Sequence, residues 1–248
     1  MTGLNPWHQG ICVGFDTETT GIDVRTDRIV TACVVRIDLA ATKGDMTRAK
    51  TWLLNPDVDI PASATAIHGI TTERAQEAGQ DPLTGLLEIV ASLRSAWLAG
   101  WPVIGHNVAY DLSILDHELH RHGLGSIHSH GGPGIVVDTL AMDKMIRPNW
   151  RGKRRLTDCC EAYGVRIDGA HDATFDAVAA CRIAWRMAND FPSYVQLPLH
   201  DLMERQQHTH QSWAEEFGAY LRSQQRVDDV SRDWPYTPAA AIAKQVAS

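Results

Sequence analysis

The chain has 248 residues, of which 44% are hydrophobic, and its formal net charge at pH 7 is −7. That length suffices for one substantial hydrophobic core, or for one domain with an appendage. No apolar run approaches the roughly 18 residues of a transmembrane helix, and no basic segment followed by an apolar one opens the chain, so we expect neither a membrane nor a secreted protein. The acidic balance argues against broad binding to duplex nucleic acid. It does not exclude a nucleic-acid enzyme, because bound divalent cations would add positive charge.

The five cysteines form no Cys-x-x-Cys pair, and two of them, Cys159 and Cys160, are adjacent. This pattern indicates free thiols and a reducing compartment, so we expect a cytoplasmic protein. Cys12, Cys33 and Cys181 lie in apolar runs, and we expect them to be core residues rather than reactive ones.

Hydrophobic patterning predicts three strands in succession, followed by alternating helices and strands. The predicted strands are the apolar run 11–15 with the residues that follow it, 28–38, 50–55, 102–107 and 135–138. The predicted helices are 82–99, 110–122, 156–163, 173–188 and 197–223. This order indicates an α/β fold with a central mixed five-stranded sheet flanked by helices.

Asp16 and Glu18 follow the first apolar run and are two residues apart. Side chains at this spacing share one face of a strand, so both carboxylates would project together from the strand end. Two such groups repel unless a positive charge lies between them, and a divalent cation with oxygen ligands is the simplest one. The alternative is an edge strand that carries two solvated acids.

Two further acids and a histidine extend this pattern. Asp111 would start a helix just past the carboxyl end of a strand, where ligand sites gather in open α/β sheets. The alternative is a helix-dipole contact of about 0.3–1 kcal/mol. Asp176 lies five residues after His171. Four carboxylates and one imidazole match the needs of two-metal phosphodiester hydrolysis, in which the imidazole takes a proton from water.

Three motifs in order carry a family resemblance: FDTETTG at 15–21, GHNVAYD at 105–111 and HDATFDA at 171–177. With accessory matches at 66–71 and 137–140, the chain resembles the DnaQ-like, DEDDh family of 3′→5′ exonucleases over residues 9–190. His171 stands five residues before the last aspartate. Asp172 occupies the position where a tyrosine-type relative has its tyrosine, so the chain is similar to the histidine type.

The resemblance implies a ribonuclease-H-like fold, two Mg²⁺ or Mn²⁺ ions, and release of nucleoside 5′-monophosphates. It implies that Asp16, Glu18, Asp111 and Asp176 are catalytic metal ligands and that His171 is the general base. It also implies a pocket for the terminal nucleotide, formed by Thr17, Thr19, Gly21, Ile22, His68, Asn107 and Tyr110.

Other polar residues are expected to have structural or surface roles. We expect Asp172 to cap the helix of the third motif and Asp138 to be structural. Asp23, Asp27 and Asp116 are expected at the surface. The basic stretch 145–155 is expected to contact substrate phosphates through Arg151, Lys153 and Arg154, and the alternative is a solvated loop.

Residues 191–248 are expected to form a C-terminal helical extension beyond an exonuclease domain at 9–190. Within it, 234–236 is expected to pack back on the core. The segment 196–200 faintly resembles the clamp-binding peptides of bacterial replication proteins, and the alternative is a proline-flanked helix start.

The functional hypothesis is a metal-dependent 3′→5′ exonuclease on single-stranded DNA or frayed 3′ ends, with proofreading beside a DNA polymerase or sliding clamp as one form of it. An exoribonuclease that acts on RNA or short oligonucleotides is the first alternative, because sugar selection depends on the pocket around the 2′ position. A polymerase accessory module with a vestigial site is the second. All five active-site positions are filled, which argues against the vestigial site.

Overall fold

The structure is a computed structural model that describes residues 6–40, 46–166 and 172–239. Its strands are β1 (Ile11–Thr19), β2 (Ile29–Asp38), β3 (Met46–Leu53), β4 (Val103–Gly105) and β5 (Val136–Asp138). They form one sheet in the order β3-β2-β1-β4-β5. The first three strands are antiparallel neighbours, whereas β4 and β5 run parallel to β1. The predicted mixed five-stranded sheet is confirmed.

Helices cover both faces of this sheet. They are α1 (Ala62–His68), α2 (Thr72–Ala78), α3 (Pro82–Leu98), α4 (Val108–Arg121), α5 (Thr139–Ile146), α6 (Leu156–Ala162), α7 (Ala173–Asp190), α8 (Pro192–Val195) and α9 (Leu199–Ser223). The five predicted helices are present, with ends shifted by up to two residues. No helix of the described chain has the length and apolar character needed to cross a bilayer.

Sequence patterning missed four short helices and the start of one strand. α1 and α2 have seven residues each and bury only Ala64 and Ala75, so they carry no clear apolar stripe. α5 follows β5 without a loop, and Asp138 caps it by accepting a hydrogen bond from Leu140 N–H. α8 is a single turn. β3 begins at Met46 rather than residue 50, because its polar first half pairs with β2 at the edge of the sheet.

Two hydrophobic cores lie on opposite faces of the sheet. Strand alternation sends Cys12 to the face covered by α5, α6 and α7, and sends Val13 and Phe15 to the face covered by α3 and α4. Cys33 and Cys181 also lie in the first core, and both are fully buried as predicted.

The segment after α7 packs against the main body. The Gln206 side chain on α9 accepts a hydrogen bond from Asp138 N–H at 2.7 Å and donates one to the Val136 carbonyl at 3.2 Å. Trp234 and Tyr236 are buried in the second core, which confirms the predicted return of this segment. The division of the chain at residue 190 stays a prediction.

Asp116 is a correction to the sequence-based view. It was expected at the surface, yet it is 1% exposed. Its carboxylate accepts backbone hydrogen bonds from Ile127 at 2.7 Å and from Ala239 at 3.0 Å. Both donors come from segments distant in the chain, so the local sequence carries no sign of them.

Candidate active site

Three acidic side chains meet at the carboxyl end of β1. Asp16 and Glu18 project from the same face of this strand because they are two residues apart. Asp176 comes from the first turn of α7. One carboxylate oxygen of each residue lies within 4.8 Å of the other two. The acidic pair anticipated at the strand end is therefore part of a three-acid cluster.

The close approach of α7 to β1 depends on Gly14. A Cβ atom here would lie 2.8 Å from the carbonyl oxygen of Ala177 and 2.9 Å from Val35 Cγ1. Contacts this short do not occur with real side chains, so a larger residue would push α7 outwards. Asp176 immediately precedes Ala177 and would move with it.

Asp111 lies beside the three-acid cluster, in the first turn of α4, and β1 holds it in place. Its Oδ1 accepts hydrogen bonds from the Thr17 backbone N–H at 3.0 Å and from the Thr17 hydroxyl at 2.6 Å. Thr17 lies between the two acids of β1, so this contact ties Asp111 to them. The Thr17 hydroxyl orients a carboxylate, and its predicted contact with substrate stays a prediction.

Burial and mutual repulsion make this cluster costly to ionise. Burial, followed by the charges of Asp111 and Asp176, holds the pKa of Asp16 well above its usual range. Burial and the charge of Asp176 raise the pKa of Glu18 to about 7. Burial raises the pKa of Asp111 to about 7, although the hydrogen bonds from Thr17 oppose the shift. A divalent cation would relieve this repulsion, because hard cations prefer carboxylate oxygens.

The turn after β1 forms a small hydrogen-bonded platform next to the acids. The Gly21 carbonyl accepts hydrogen bonds from the hydroxyls of Thr19 and Tyr110, each at 2.6 Å. A Cβ atom on Gly21 would lie 2.5 Å from Asp27 Oδ2, so a larger residue here would displace the Asp27 carboxylate. Asp27, expected at the surface, is half-buried and organises this turn by accepting from Thr20. Ile22 projects from it and is 93% exposed.

His68 lies beside Glu18. The two residues line an open pocket of about 310 Å³ together with Arg74 and Asp172. His68 Nδ1 accepts a hydrogen bond from Ile70 N–H at 3.1 Å, and burial lowers the pKa of His68. Arg74 was not anticipated from the sequence, because nothing in its local pattern distinguishes it from a surface arginine.

The second motif is tied to the neighbouring strand and loop. Asn107 has a left-handed backbone with φ of 62°, its side chain is exposed, and its N–H donates to Asp138 Oδ1 at 2.9 Å. Asp138 thus positions Asn107 as well as capping α5, which confirms its predicted structural role. His106 contacts the Thr139 hydroxyl at 2.9 Å and the Arg154 carbonyl at 2.8 Å. Sequence reasoning assigned no role to His106.

His171 lies outside the described residues, and its role as general base stays a prediction. The adjacent Asp172 is the N-cap of α7, where its carboxylate accepts from Thr174 N–H at 2.8 Å. The predicted capping role of Asp172 is confirmed.

The basic stretch 145–155 is only partly available to a substrate. Asp143 is fully buried and forms ion pairs with Arg147 and Arg154. The predicted phosphate contact of Arg154 is therefore replaced by an internal one, which the sequence could not show because Asp143 precedes the stretch. Arg151 and Lys153 are exposed.

The segment 196–200 is the start of α9. The Gln196 side-chain amide donates to the Ala188 carbonyl at 2.9 Å, and Pro198 is the N-cap residue. Leu197 and Leu199 pack against the first core. The alternative of a proline-flanked helix start is confirmed.

Comparison with known proteins identifies relatives of the whole site-bearing region. The RNase_T family, described as Exonuclease, matches residues 13–184. DNA polymerase III subunit epsilon of Treponema pallidum is 32% identical over 164 residues, covering 66% of this chain and 69% of that protein. The PolC-type DNA polymerase III of Listeria monocytogenes is 24% identical over 190 residues, covering 77% of this chain. The chain spans only 12% of that relative's length.

Solved structures of exonuclease I share the fold. One has a TM-score of 0.63 at 20% identity and covers 82% of this chain and 44% of that chain. Another, E. coli exonuclease I in complex with a dT13 oligonucleotide, has a TM-score of 0.62 at 19% identity and covers 81% and 45%. The expected ribonuclease-H-like fold is confirmed by these neighbours. The motifs, the fold and the family match agree: the chain belongs to the RNase_T family of exonucleases, and its predicted resemblance to the DnaQ-like 3′→5′ exonucleases is confirmed.

Proposed function

We propose that the chain is a 3′→5′ exonuclease that acts on single-stranded DNA or frayed 3′ ends and releases nucleoside 5′-monophosphates. The observation that carries this proposal is the convergence of Asp16, Glu18 and Asp176 within 4.8 Å at the carboxyl end of β1. Asp111 stands beside them, held by Thr17. A cluster of this kind has little use in a binding module, because it repels the phosphates of a nucleic acid unless cations are present.

The acids fit a divalent metal site, as the family requires. Carboxylate oxygens suit Mg²⁺ or Mn²⁺, and a bound cation would stabilise the charged forms of Asp16 and Glu18, whose pKa values are raised by burial and by the neighbouring acids. We assign two ions to Asp16, Glu18, Asp111 and Asp176. When bound, such ions supply a more acidic water and stabilisation of the leaving oxygen.

The remaining residues would hold the substrate and move a proton. The exposed side chain of Ile22 would contact the terminal nucleotide, and the platform of Thr19, Gly21 and Tyr110 would fix that contact. His68 and Asn107 would border the same nucleotide. His171 would accept the proton of the attacking water as the P–O3′ bond breaks. The shortened strand would then keep a free 3′ hydroxyl, and the phosphate would leave on the released nucleotide.

The assignment to DNA is supported by two relatives, a PolC-type DNA polymerase III and a DNA polymerase III subunit epsilon. The same relatives support a proofreading role with a DNA polymerase as partner. Residues 196–200 would have to leave their packing to bind a sliding clamp. We therefore propose a DNA polymerase as the first partner and a clamp as the second. We assign the enzyme to the cytoplasm, because all five cysteines, each within the described residues, are free and buried.

A comparison of two substrates tests the proposal. Single strands of DNA and RNA with the same sequence and a 5′ label are incubated with the protein and Mg²⁺. We expect the DNA strand to be shortened faster. Faster loss of RNA would reassign the protein to the exoribonucleases, and loss of neither would support an accessory module.

Metal binding should stabilise the protein more at high pH than at low pH. The raised pKa values of Glu18 and Asp111 mean that the folded state binds more protons than the unfolded state between about pH 4 and pH 7. The stability contributed by these groups is therefore present at low pH and is lost as pH rises through about 7. Cations compete with those protons, so we expect a larger Mg²⁺-induced rise in melting temperature at about pH 8 than at about pH 5. Equal rises at the two pH values would contradict this account.

A further inference from the structure

A row of exposed aromatic side chains runs along α9. Trp213, Phe217 and Tyr220 are 36%, 39% and 55% exposed. The rings of Trp213 and Phe217 are stacked at 5.5 Å and 13°, and those of Phe217 and Tyr220 at 6.2 Å and 18°. Spacings of four and three residues put all three on one helix face. Contiguous exposed apolar surface of this kind marks a binding site.

The aromatic row reaches the same sheet edge as the acidic cluster. α9 starts beside Trp101 and Pro102, at the amino end of β4. It passes β5 at Gln206, whose side chain bonds to Val136 and Asp138. The helix continues to Ser223, which at 1.5 Å per residue carries it about 25 Å further. The row therefore lies past the carboxyl end of β5.

Basic side chains lie near Trp213, the first residue of the aromatic row. The Lys144 ammonium lies 3.5 Å from the centre of the Trp213 ring. Both residues line a groove of about 960 Å³ that also includes Arg151 and Lys153. Neither Arg151 nor Lys153 forms an ion pair within the described part of the chain. Glu216 also lines the groove, so positive charge exceeds negative charge there.

This combination fits an unpaired nucleic-acid strand better than a protein helix. Flat aromatic faces stack on bases, and lysine and arginine side chains neutralise phosphates. A protein helix would fill the apolar row but would leave the cations of the groove without partners.

The groove is joined to the site of the terminal nucleotide by direct contacts. The Arg154 carbonyl in the groove wall is bonded to His106 at 2.8 Å, and Asn107 follows His106 in the second motif. A strand with its 3′ end at the acids could thus continue into the groove and along α9.

We propose that Trp213, Phe217, Tyr220, Lys144, Arg151 and Lys153 form an upstream-strand surface that binds unpaired DNA nucleotides on the 5′ side of the terminal nucleotide. This proposal deepens the exonuclease function and rests on it for the direction of the strand. Because stacking tolerates every base, the surface would hold DNA without sequence preference. It would favour single-stranded substrates over duplex ends.

Binding of oligonucleotides in EDTA tests the surface without any hydrolysis. Fluorescence anisotropy is measured with single-stranded DNA of about four and about 20 nucleotides. We expect the Phe217→Ala/Tyr220→Ala double variant to bind the longer strand about tenfold or more weakly, since each lost stacking partner removes affinity. Its hydrolysis of the shorter strand with Mg²⁺ should match the wild type.

Control variants distinguish the loss of this surface from general damage to the fold. They also allow the surface and the nuclease assignment to be tested independently. Exchange of the rings, Phe217→Tyr/Tyr220→Phe, should preserve binding, and so should Trp185→Ala, which removes an exposed aromatic ring on α7. Unchanged affinity of the double alanine variant for the long DNA strand would overturn the proposal, as would a loss seen only with RNA. Binding that is lost in the variant while the wild type cleaves nothing would support the surface and count against the nuclease assignment alone.

The salt dependence of the same binding tests the cations. Neutralising two phosphate contacts with Arg151→Ala/Lys153→Ala should reduce the slope of log K against log salt by about 1.4, because each contact with a single strand contributes about 0.7. The control is Arg48→Ala, because Arg48 is exposed on β3, at the opposite edge of the sheet from β5. A slope equal to that of the wild type in the double variant would contradict a phosphate contact at these residues.

Discussion

Asp16→Asn should lower the rate of strand hydrolysis by about 10³-fold or more, which corresponds to about 4 kcal/mol of transition-state stabilisation. Asp16 is the residue of the cluster whose pKa is affected by all the other acids, after the effect of its own burial. The amide keeps the size of the side chain but loses the charge that would hold a cation. The rate is measured under single-turnover conditions with saturating Mg²⁺.

The same variant should be at least as stable as the wild type when no metal is present. Asparagine removes one of the repelling charges, so the metal-free melting temperature should stay equal or rise. The stabilisation by added Mg²⁺ should largely disappear. Glu77→Gln on the exposed side of α2 is the matched control and should change neither quantity. A hydrolysis rate within about tenfold of the wild type would remove Asp16 from the site.

Asp143→Ala should destabilise the protein by about 3–5 kcal/mol, because it leaves two partly buried guanidinium groups without their counter-charge. Asp143 is fully buried. Its carboxylate accepts from Arg147 Nε at 2.7 Å and from the Tyr163 hydroxyl at 2.5 Å, and it also pairs with Arg154. These contacts join α5, α6 and the basic stretch.

Thermal or urea unfolding of Asp143→Ala is compared with that of a control variant, Asp190→Ala. Asp190 pairs with Arg186 at 3.6 Å, and both side chains are exposed, at 41% and 43%. An exposed pair contributes about 0–1 kcal/mol, so the control should unfold close to the wild type. Equal unfolding midpoints for the two variants would show that the buried network is unimportant to stability.

Much of the fold and the site could be predicted because the signals are local. Strand alternation put Asp16 and Glu18 on one face, and the rule that parallel strands end at one sheet edge placed Asp111 near them. The apolar runs predicted the strands of the sheet, and the helical periodicity of apolar residues predicted the helices that flank it. Asp172 at a helix start could likewise be identified as a cap.

The remaining features depend on contacts between distant segments. The backbone donors that bury Asp116 come from Ile127 and Ala239. The packing of α9 against β5 leaves Trp213 and Phe217 exposed. Apolar periodicity alone does not distinguish such residues from core residues.

The most direct test of the central claim is the course of degradation of a 5′-labelled single DNA strand with Mg²⁺. A metal-dependent 3′→5′ exonuclease should give a ladder of labelled products that shorten from the 3′ end, release nucleoside 5′-monophosphates, and be arrested completely by EDTA. Failure to shorten the strand with either Mg²⁺ or Mn²⁺, or shortening that begins at the 5′ end, would contradict this assignment.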